Sequence, residues 1–475
     1  MKYHKILLTR PPTAQGGRID PYPQPSLGLA SIAAVLEHRI EVLPILDGNF
    51  GGNYLNKLRS VVKSECPDIV GFSAFTPFAG RVMESASAVK DVDPNILVVV
   101  GGPHATVLAE KTLTKCPYVD VAVCGEGEAT VEEIVEGRRF DEIRGIVYRD
   151  DAGKIRTNLP RPFIKGLDLL PYPAYHLLPN FPRGYKPHPP RGAFGGVWTS
   201  IMRSRGCPFD CTYCSRDASF GRVYRCNSSN YVVGLLKYLN NQFGISEVTF
   251  YDDVFTLNRT LTMKLLKDML PQNLGFRLDW DCETRVDLVD PELLLAMKKA
   301  GCRIIAYGIE HGLWINEIKG GRATIEQAER AVRWTHEAGI QTIGYFMMGL
   351  PNEKPETIIK TIEFAKKLDV TWAQFSIMVP IPGSELYRQM VHITPGLDEE
   401  WDKLVYENLG KMDVPLLATK VLSEDDLIYW RRRAYREFYL RGNYIRSRLL
   451  SIQSLKDLSM NIDGLKMFMH TMMNY

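Results

Sequence analysis

The chain has 475 residues, 45% hydrophobic and 24% charged, with 58 Lys and Arg against 55 Asp and Glu for a net charge of +3. That length predicts about two or three soluble globular domains, and the near balance of charge argues against polyanion binding as the main business of the surface. No apolar run approaches the roughly 20 residues that cross a bilayer, and Met1–Arg10 lacks the long apolar core of a secretory signal, so a cytoplasmic protein without a membrane partner is expected.

Over residues 1–143, short β-branched runs at Ile6–Thr9, Glu41–Leu46, Ile69–Ser73, Ile96–Val100 and Val119–Cys124 alternate with amphipathic stretches at Leu27–Glu37, Tyr54–Lys63, Ala79–Lys90 and Val107–Thr114. Such alternation predicts an α/β fold, a doubly wound parallel sheet of Rossmann type, whose ligands sit beyond the carboxyl ends of its strands. Residues 144–195 read as a hairpin (Gly145–Arg149, a turn at Asp151–Gly153, Lys154–Thr157) followed by a linker. The nine prolines between Pro160 and Pro190 predict that this linker wraps the surface.

From 196 to 392 the alternation restarts. Strands are expected at Val197–Arg203, Glu247–Tyr251, Arg277–Asp281, Arg303–Gly308, Gln341–Met347 and Trp372–Met378, with helices between them. Six repeats are too few for an eightfold barrel, so a partial (βα)6 barrel follows. Residues 393–475 read as a carboxyl-terminal helical region in which Ser423 and Asp426 form a capping box. Its seven arginines between Trp430 and Arg448 are interleaved with aromatics. Nucleic acid could use such a stretch, but an amphipathic helix capping the barrel is the preferred reading.

Nine cysteines, an odd number spread through apparent strands, fit a reducing compartment better than a disulfide framework. Three crowd into Arg205–Gly206–Cys207–Pro208–Phe209–Asp210–Cys211–Thr212–Tyr213–Cys214–Ser215, just after the first barrel strand. Three thiolates in one loop can hold three irons of a cluster and leave a fourth open to chelate an amine and a carboxylate. Zinc competes, but a closed zinc site wants four ligands, and only Cys226, twelve residues on, could supply another.

This segment resembles the Cys-x-x-x-Cys-x-x-Cys signature of the radical S-adenosylmethionine superfamily, over about residues 197–390. The resemblance implies a [4Fe-4S] cluster on Cys207, Cys211 and Cys214 that reductively cleaves S-adenosylmethionine to a 5′-deoxyadenosyl radical. It implies further that Tyr213 looks towards the adenine, that Asp252 or Asp253 accepts the methionine ammonium, that Glu283 binds the ribose and that Arg285 meets the methionine carboxylate. Glu310, in the Tyr307–Gly312 cluster, joins this cofactor-binding set. His311 beside it is expected to be structural. An electron donor such as flavodoxin or ferredoxin is the implied protein partner.

The first domain is not a nicotinamide site, since Gly-x-Gly-x-x-Gly is missing after its first strand. It resembles the cobalamin-binding domain fused to one branch of the same superfamily, through Pro25–Ala30, Ser73-x-x-Thr76, Gly101–Gly102–Pro103–His104 and Gly125–Glu126–Gly127–Glu128. Ser73, Thr76, Gly101, Gly102, Gly125 and Glu126 are the implied cobalamin contacts. Asp47–Gly48–Asn49–Phe50–Gly51–Gly52 is a near-match to Asp-x-His-x-x-Gly with asparagine at the histidine position, after the second strand rather than the first, and is taken as coincidence. Cys66, Cys116 and Cys124 could suggest the second cluster of transfer RNA methylthiotransferases, but buried core thiols fit their wide spacing better.

The expected activity is cobalamin-dependent radical methylation of an unactivated carbon in a small-molecule substrate, with methylcobalamin delivering the methyl group. The alternative is a cobalamin-independent dehydration, cyclisation or rearrangement of a sugar-like or lipid metabolite. RNA modification ranks third because the net charge is low and a clear second cysteine trio is lacking.

Overall fold

Short β-branched runs become the strands of two sheets in the computed structural model, which describes residues 3–13, 20–192, 194–218, 220–392, 397 and 421–450. The first sheet contains β1 (Lys5–Arg10), β2 (Glu41–Val42), β3 (Leu46–Asp47), β4 (Ile69–Ser73), β5 (Leu97–Gly101), β6 (Val121–Val123), β7 (Ile146–Arg149) and β8 (Ile155–Thr157). Its order is β2-β1-β4-β5-β6-β7-β8, with β3 also on β1, and it is parallel up to β6.

Two expectations change here. The single strand expected at Glu41–Leu46 is divided, because Pro44 has no amide to donate and the Ile45 amide turns away to Leu177 O. The hairpin, grouped above with the linker over 144–195, pairs antiparallel with β6 and extends that sheet to Thr157. The helix expected from Val107 begins earlier, at Pro103, where the missing amide costs nothing at a first helical position.

The second sheet begins with β9 (Trp198–Ile201). A two-residue ladder, β10 (Ser204–Arg205) on β11 (Arg225–Cys226), branches off, and β12 (Glu247–Phe250), β13 (Asp279–Thr284), β14 (Cys302–Glu310), β15 (Gln341–Met348) and β16 (Trp372–Ile377) follow. The order β16-β15-β14-β13-β12-β9 is wholly parallel, an open six-stranded barrel. β13 lies further along the chain than expected, because Trp280 and Cys282 fill the core while Arg277 stays in solvent.

The helix Glu424–Tyr439 starts at the predicted capping box, with Ser423 and Asp426 bonding reciprocally. This helix and the next, Gly442–Leu450, cover the free edge of β16 with tyrosine hydroxyls. Tyr439 Oη accepts from Ala373 N (3.0 Å) and donates to Ala373 O (2.8 Å), Tyr435 Oη accepts from Phe375 N (3.2 Å), and Tyr444 Oη donates to Thr371 O (3.0 Å). These bonds stand where a seventh strand would pair.

The proline-rich linker lies along the surface over much of its length, but it also sends side chains into the core. Leu167, Tyr175, Leu178, Tyr185 and Arg191 are all buried. Tyr175 Oη donates to Ser200 O on β9, Ala174 N donates to Ala30 O, and Tyr185 Oη reaches Asp47. Prolines forbid helix but not burial, and an extended segment rich in aromatics fills the seam between two sheets.

Candidate functional site

The cysteine loop grows out of the turn after β9, and the β10–β11 ladder closes its neck. Gly206 sits at φ +88°, where a Cβ would lie 2.3 Å from Val223 O, so only glycine lets the chain turn into Cys207. Backbone bonds hold the loop from several sides: Cys207 N to Gly221 O (3.0 Å), Thr212 N to Ile318 O (3.0 Å) and Cys214 N to Cys211 O (3.1 Å). All nine cysteines are free thiols. Burial raises the Cys207 thiol and pushes Cys214 up to about 12, with the neighbouring thiols adding to the rise. A metal that binds thiolate reverses such a shift. Among the described residues no three His, Cys, Asp or Glu side chains gather round one point as a single ion requires.

Arg285 lies 4% exposed at the end of β13. Asp287 takes its Nε (2.9 Å) and Nη2 (3.1 Å), its plane stacks on Phe209 at 3.9 Å, and Nη1 points at Cys211 Sγ (3.8 Å). Tyr213 and Glu310 are brought together: the phenol donates to Glu310 Oε1 (2.7 Å), and Lys319 Nζ reaches the same oxygen (2.8 Å) and Tyr213 Oη (3.1 Å). Burial and the Glu310 charge raise the Tyr213 phenol well above its ordinary value. Lys319 escaped the sequence reading, although the Gly320–Gly321 pair after it, both at positive φ, marks where the loop folds back against Asp210.

The two adjacent aspartates separate. Asp252 is buried behind the strand end, held by Ser204 Oγ, Arg203 N and the Arg203 guanidinium 3.5 Å away. Asp253 faces a solvent-open recess and accepts no hydrogen bond among the described residues. The protein crowding that recess, with help from Asp252 and Glu283, raises its carboxyl to about 6. Its charge acts on both Cys207 and Cys214, which places it beside the cysteine loop.

Glu283 is met by Arg191 Nη1 and by Tyr345 Oη (3.2 Å). Arg191 comes from the linker, binds Asp281 through Nε (2.7 Å) and stacks over Tyr251 at 5.2 Å. His311 is fully engaged: Nδ1 accepts from Leu313 N and Trp314 N, which leaves Nε2 to donate to Glu353 (3.1 Å).

The first domain turns its strand ends to the same place. Arg205, two residues before Cys207, gives Nη1 to Glu126 (2.8 Å) and Nη2 to Glu128 (2.6 Å), and Arg225 grips Glu126 from the other ladder strand (2.7 Å). Ile164 N donates to Glu126 Oε2 as well (2.7 Å), so this carboxylate is committed to joining the domains. Gly102 sits at φ +97° with a would-be Cβ 2.8 Å from Ala74 O and 3.5 Å from Ser73 Oγ, which packs the β4 and β5 ends together. Gly101 beside it leaves room before Val123. Thr76 Oγ1 meets His104 Nδ1 (3.2 Å), whose Nε2 meets Thr112 (3.0 Å), so both nitrogens of that ring are engaged within the fold. Gly28 and Gly125 face open space, and Phe75 stands 49% exposed at the β4 end. An open, glycine-lined edge with an exposed aromatic fits a large planar ligand. Asn49 Oδ1 accepts from Thr13 N and Thr13 Oγ1 (both 2.9 Å).

Residues 201–365 match the radical SAM superfamily and residues 21–135 match the B12 binding domain. The chain is 35% identical over 447 residues to an uncharacterized methyltransferase of Pyrococcus horikoshii, covering 93% of this chain and 94% of that one. It is 26% identical over 470 residues to the cytidylyl-2-hydroxyethylphosphonate methyltransferase of Streptomyces wedmorensis, covering 87% and 86%. In fold it is similar to TsrM of Kitasatospora setae, a radical S-adenosylmethionine methyltransferase solved with cobalamin and a [4Fe-4S] cluster bound. The TM-score is 0.68 at 21% identity, over 90% of this chain and 84% of that one.

Proposed function

The chain belongs to the radical S-adenosylmethionine enzymes that carry a B12-binding domain, and from that premise we propose that it methylates an unactivated carbon of a small molecule in the cytoplasm. The observation that carries this reading is the clamp of Glu126 and Glu128 on Arg205 and Arg225, which sets the strand ends of the B12-binding domain directly on the cysteine loop. A methyl carrier and a radical source must face one substrate, and the clamp joins the two edges that would hold them. Two relatives described as methyltransferases support the same reading.

Cys207, Cys211 and Cys214 would hold the cluster, and the edge formed by Ser73, Phe75, Gly101, Gly102 and Gly125 would receive the corrin. With both groups bound, a cytosolic electron donor reaching the cluster would allow S-adenosylmethionine to be split homolytically, and cobalamin would carry the methyl group. The protein's own work is positional. Asp253, which accepts no hydrogen bond among the described residues, would meet the methionine ammonium. Glu283, steadied by Arg191 and Tyr345, would meet the ribose, and the Tyr213–Glu310–Lys319 unit would hold the Tyr213 backbone for the adenine.

The test is anaerobic reconstitution with iron, sulfide and hydroxocobalamin, followed by metal and corrin quantitation after desalting. One cobalt with about four irons per chain supports the methylase. Four irons without retained cobalt would leave the first domain a scaffold and turn the reading to radical dehydration, cyclisation or rearrangement. Alanine at any of the three cysteines should abolish S-adenosylmethionine cleavage, and retained cleavage would overturn the cluster assignment.

A further inference from the structure

Arg285 is the residue that the sequence reading directs at the methionine carboxylate, and its surroundings indicate different work. Three independent contacts fix the guanidinium. Asp287 accepts from Nε and Nη2 as a fork, the ring of Phe209 lies 3.9 Å beneath it, and the remaining Nη1 faces Cys211 Sγ at 3.8 Å. The group is 4% exposed, so little water screens its charge. Phe209 itself sits between Cys207 and Cys211, which ties the orientation of the arginine to the conformation of the cysteine loop. A second cation, Arg322, stands 5.7 Å from the centroid of the same ring.

We propose that Arg285, oriented by Asp287 and Phe209, donates an N–H to the Cys211 thiolate and thereby raises the reduction potential of the cluster held in this loop. The proposal rests on the cluster reading of the cysteines. Reduction of a thiolate-bound cluster adds negative charge that is shared with the ligand sulfurs. A fixed N–H donor and a buried positive charge at one sulfur stabilise the reduced form more than the oxidised one. Arginine suits the task better than lysine, because its planar fork can be held by a carboxylate on one edge while the other edge serves the sulfur. Arg285 is a positioning and tuning residue in this account: it acts through Cys211 and need not touch the substrate.

The experiment compares wild-type protein with R285Q and R285K, each reconstituted anaerobically and assayed for iron. The midpoint potential is then read by spectroscopically monitored redox titration without S-adenosylmethionine, and the affinity for S-adenosylmethionine is measured separately. R285Q should keep its irons and titrate at a more negative potential than wild type, with R285K between them and with cofactor affinity changed less than threefold. An unchanged potential overturns the proposal, and an unchanged potential joined to a large loss of affinity returns Arg285 to the methionine carboxylate. Should R285Q fail to assemble a cluster, R285K decides in the same way, a negative shift supporting the proposal and an unchanged potential overturning it. A wild-type chain that binds no iron is a separate result, and it would remove the cluster reading itself.

Discussion

Asp252 and Asp253 differ by one position and by almost everything else. In the turn after β12 one carboxylate is buried against Arg203 and the next is left exposed. The raised carboxyl of Asp253 has a consequence for binding. Above about pH 6 it is ionised and can hold an ammonium; below that it is a neutral acid and cannot. S-adenosylmethionine affinity should therefore weaken as pH falls through 6 in the wild type. D253N should bind about 10- to 100-fold more weakly at pH 7.5, the worth of one charged hydrogen bond, with little further change on acidification. Calorimetric titration of the reconstituted protein at pH 7.5 and 5.5 checks both statements. A D253N variant that binds as tightly as wild type would remove Asp253 from the cofactor site. D252N should instead leave Arg203 buried without its counter-charge and lower stability, by roughly 3 kcal/mol.

At the scale of elements, the six barrel strands were legible because each is an apolar run followed by a turn signal, and the cysteine spacing marked its own loop. What stayed hidden were partners distant in sequence. Arg191 meets Asp281 from 90 residues away and Lys319 meets Tyr213 from 106, and no local pattern announces such pairs. The same blindness affected Glu126. A glycine-rich acidic turn at a strand end reads as a ligand loop, yet its carboxylate serves two arginines of the other domain. The choice between Asp252 and Asp253 was equally closed to sequence, since both are acids and only the register of β12 decides which one turns inward. The clamp gives an element-scale prediction. E126Q should leave Arg205 and Arg225 short of a counter-charge at the neck of the cysteine loop and cost about 3 kcal/mol. Iron retention after reconstitution should fall. Denaturant unfolding and iron assay test this, and a variant equal to wild type in both would mean that the ladder holds the loop unaided.

For the whole molecule, the two sheets share more than a hinge. The linker buries Tyr175 and Tyr185 between them, Gln24 of the first domain accepts from Tyr251 of the barrel (2.8 Å), and Ser215 Oγ donates to Pro382 O (2.6 Å) next to Val107, a residue of the Pro103–Lys115 helix. Such an interface couples the stability of the parts. Heating should give one calorimetric transition, and two resolved transitions separated by 10 °C or more would show that the domains melt independently. No helix among the described residues is long and apolar enough to cross a membrane.

The buried linker also bears on how this architecture can be recombined. A gene fusion that joins the first sheet of one relative to the barrel of another by cutting among the prolines would strand Tyr175 without Ser200 and Glu283 without Arg191. Workable chimaeras must carry residues 167–191 with the barrel they plug, so the natural unit of exchange is the barrel together with its inherited strap.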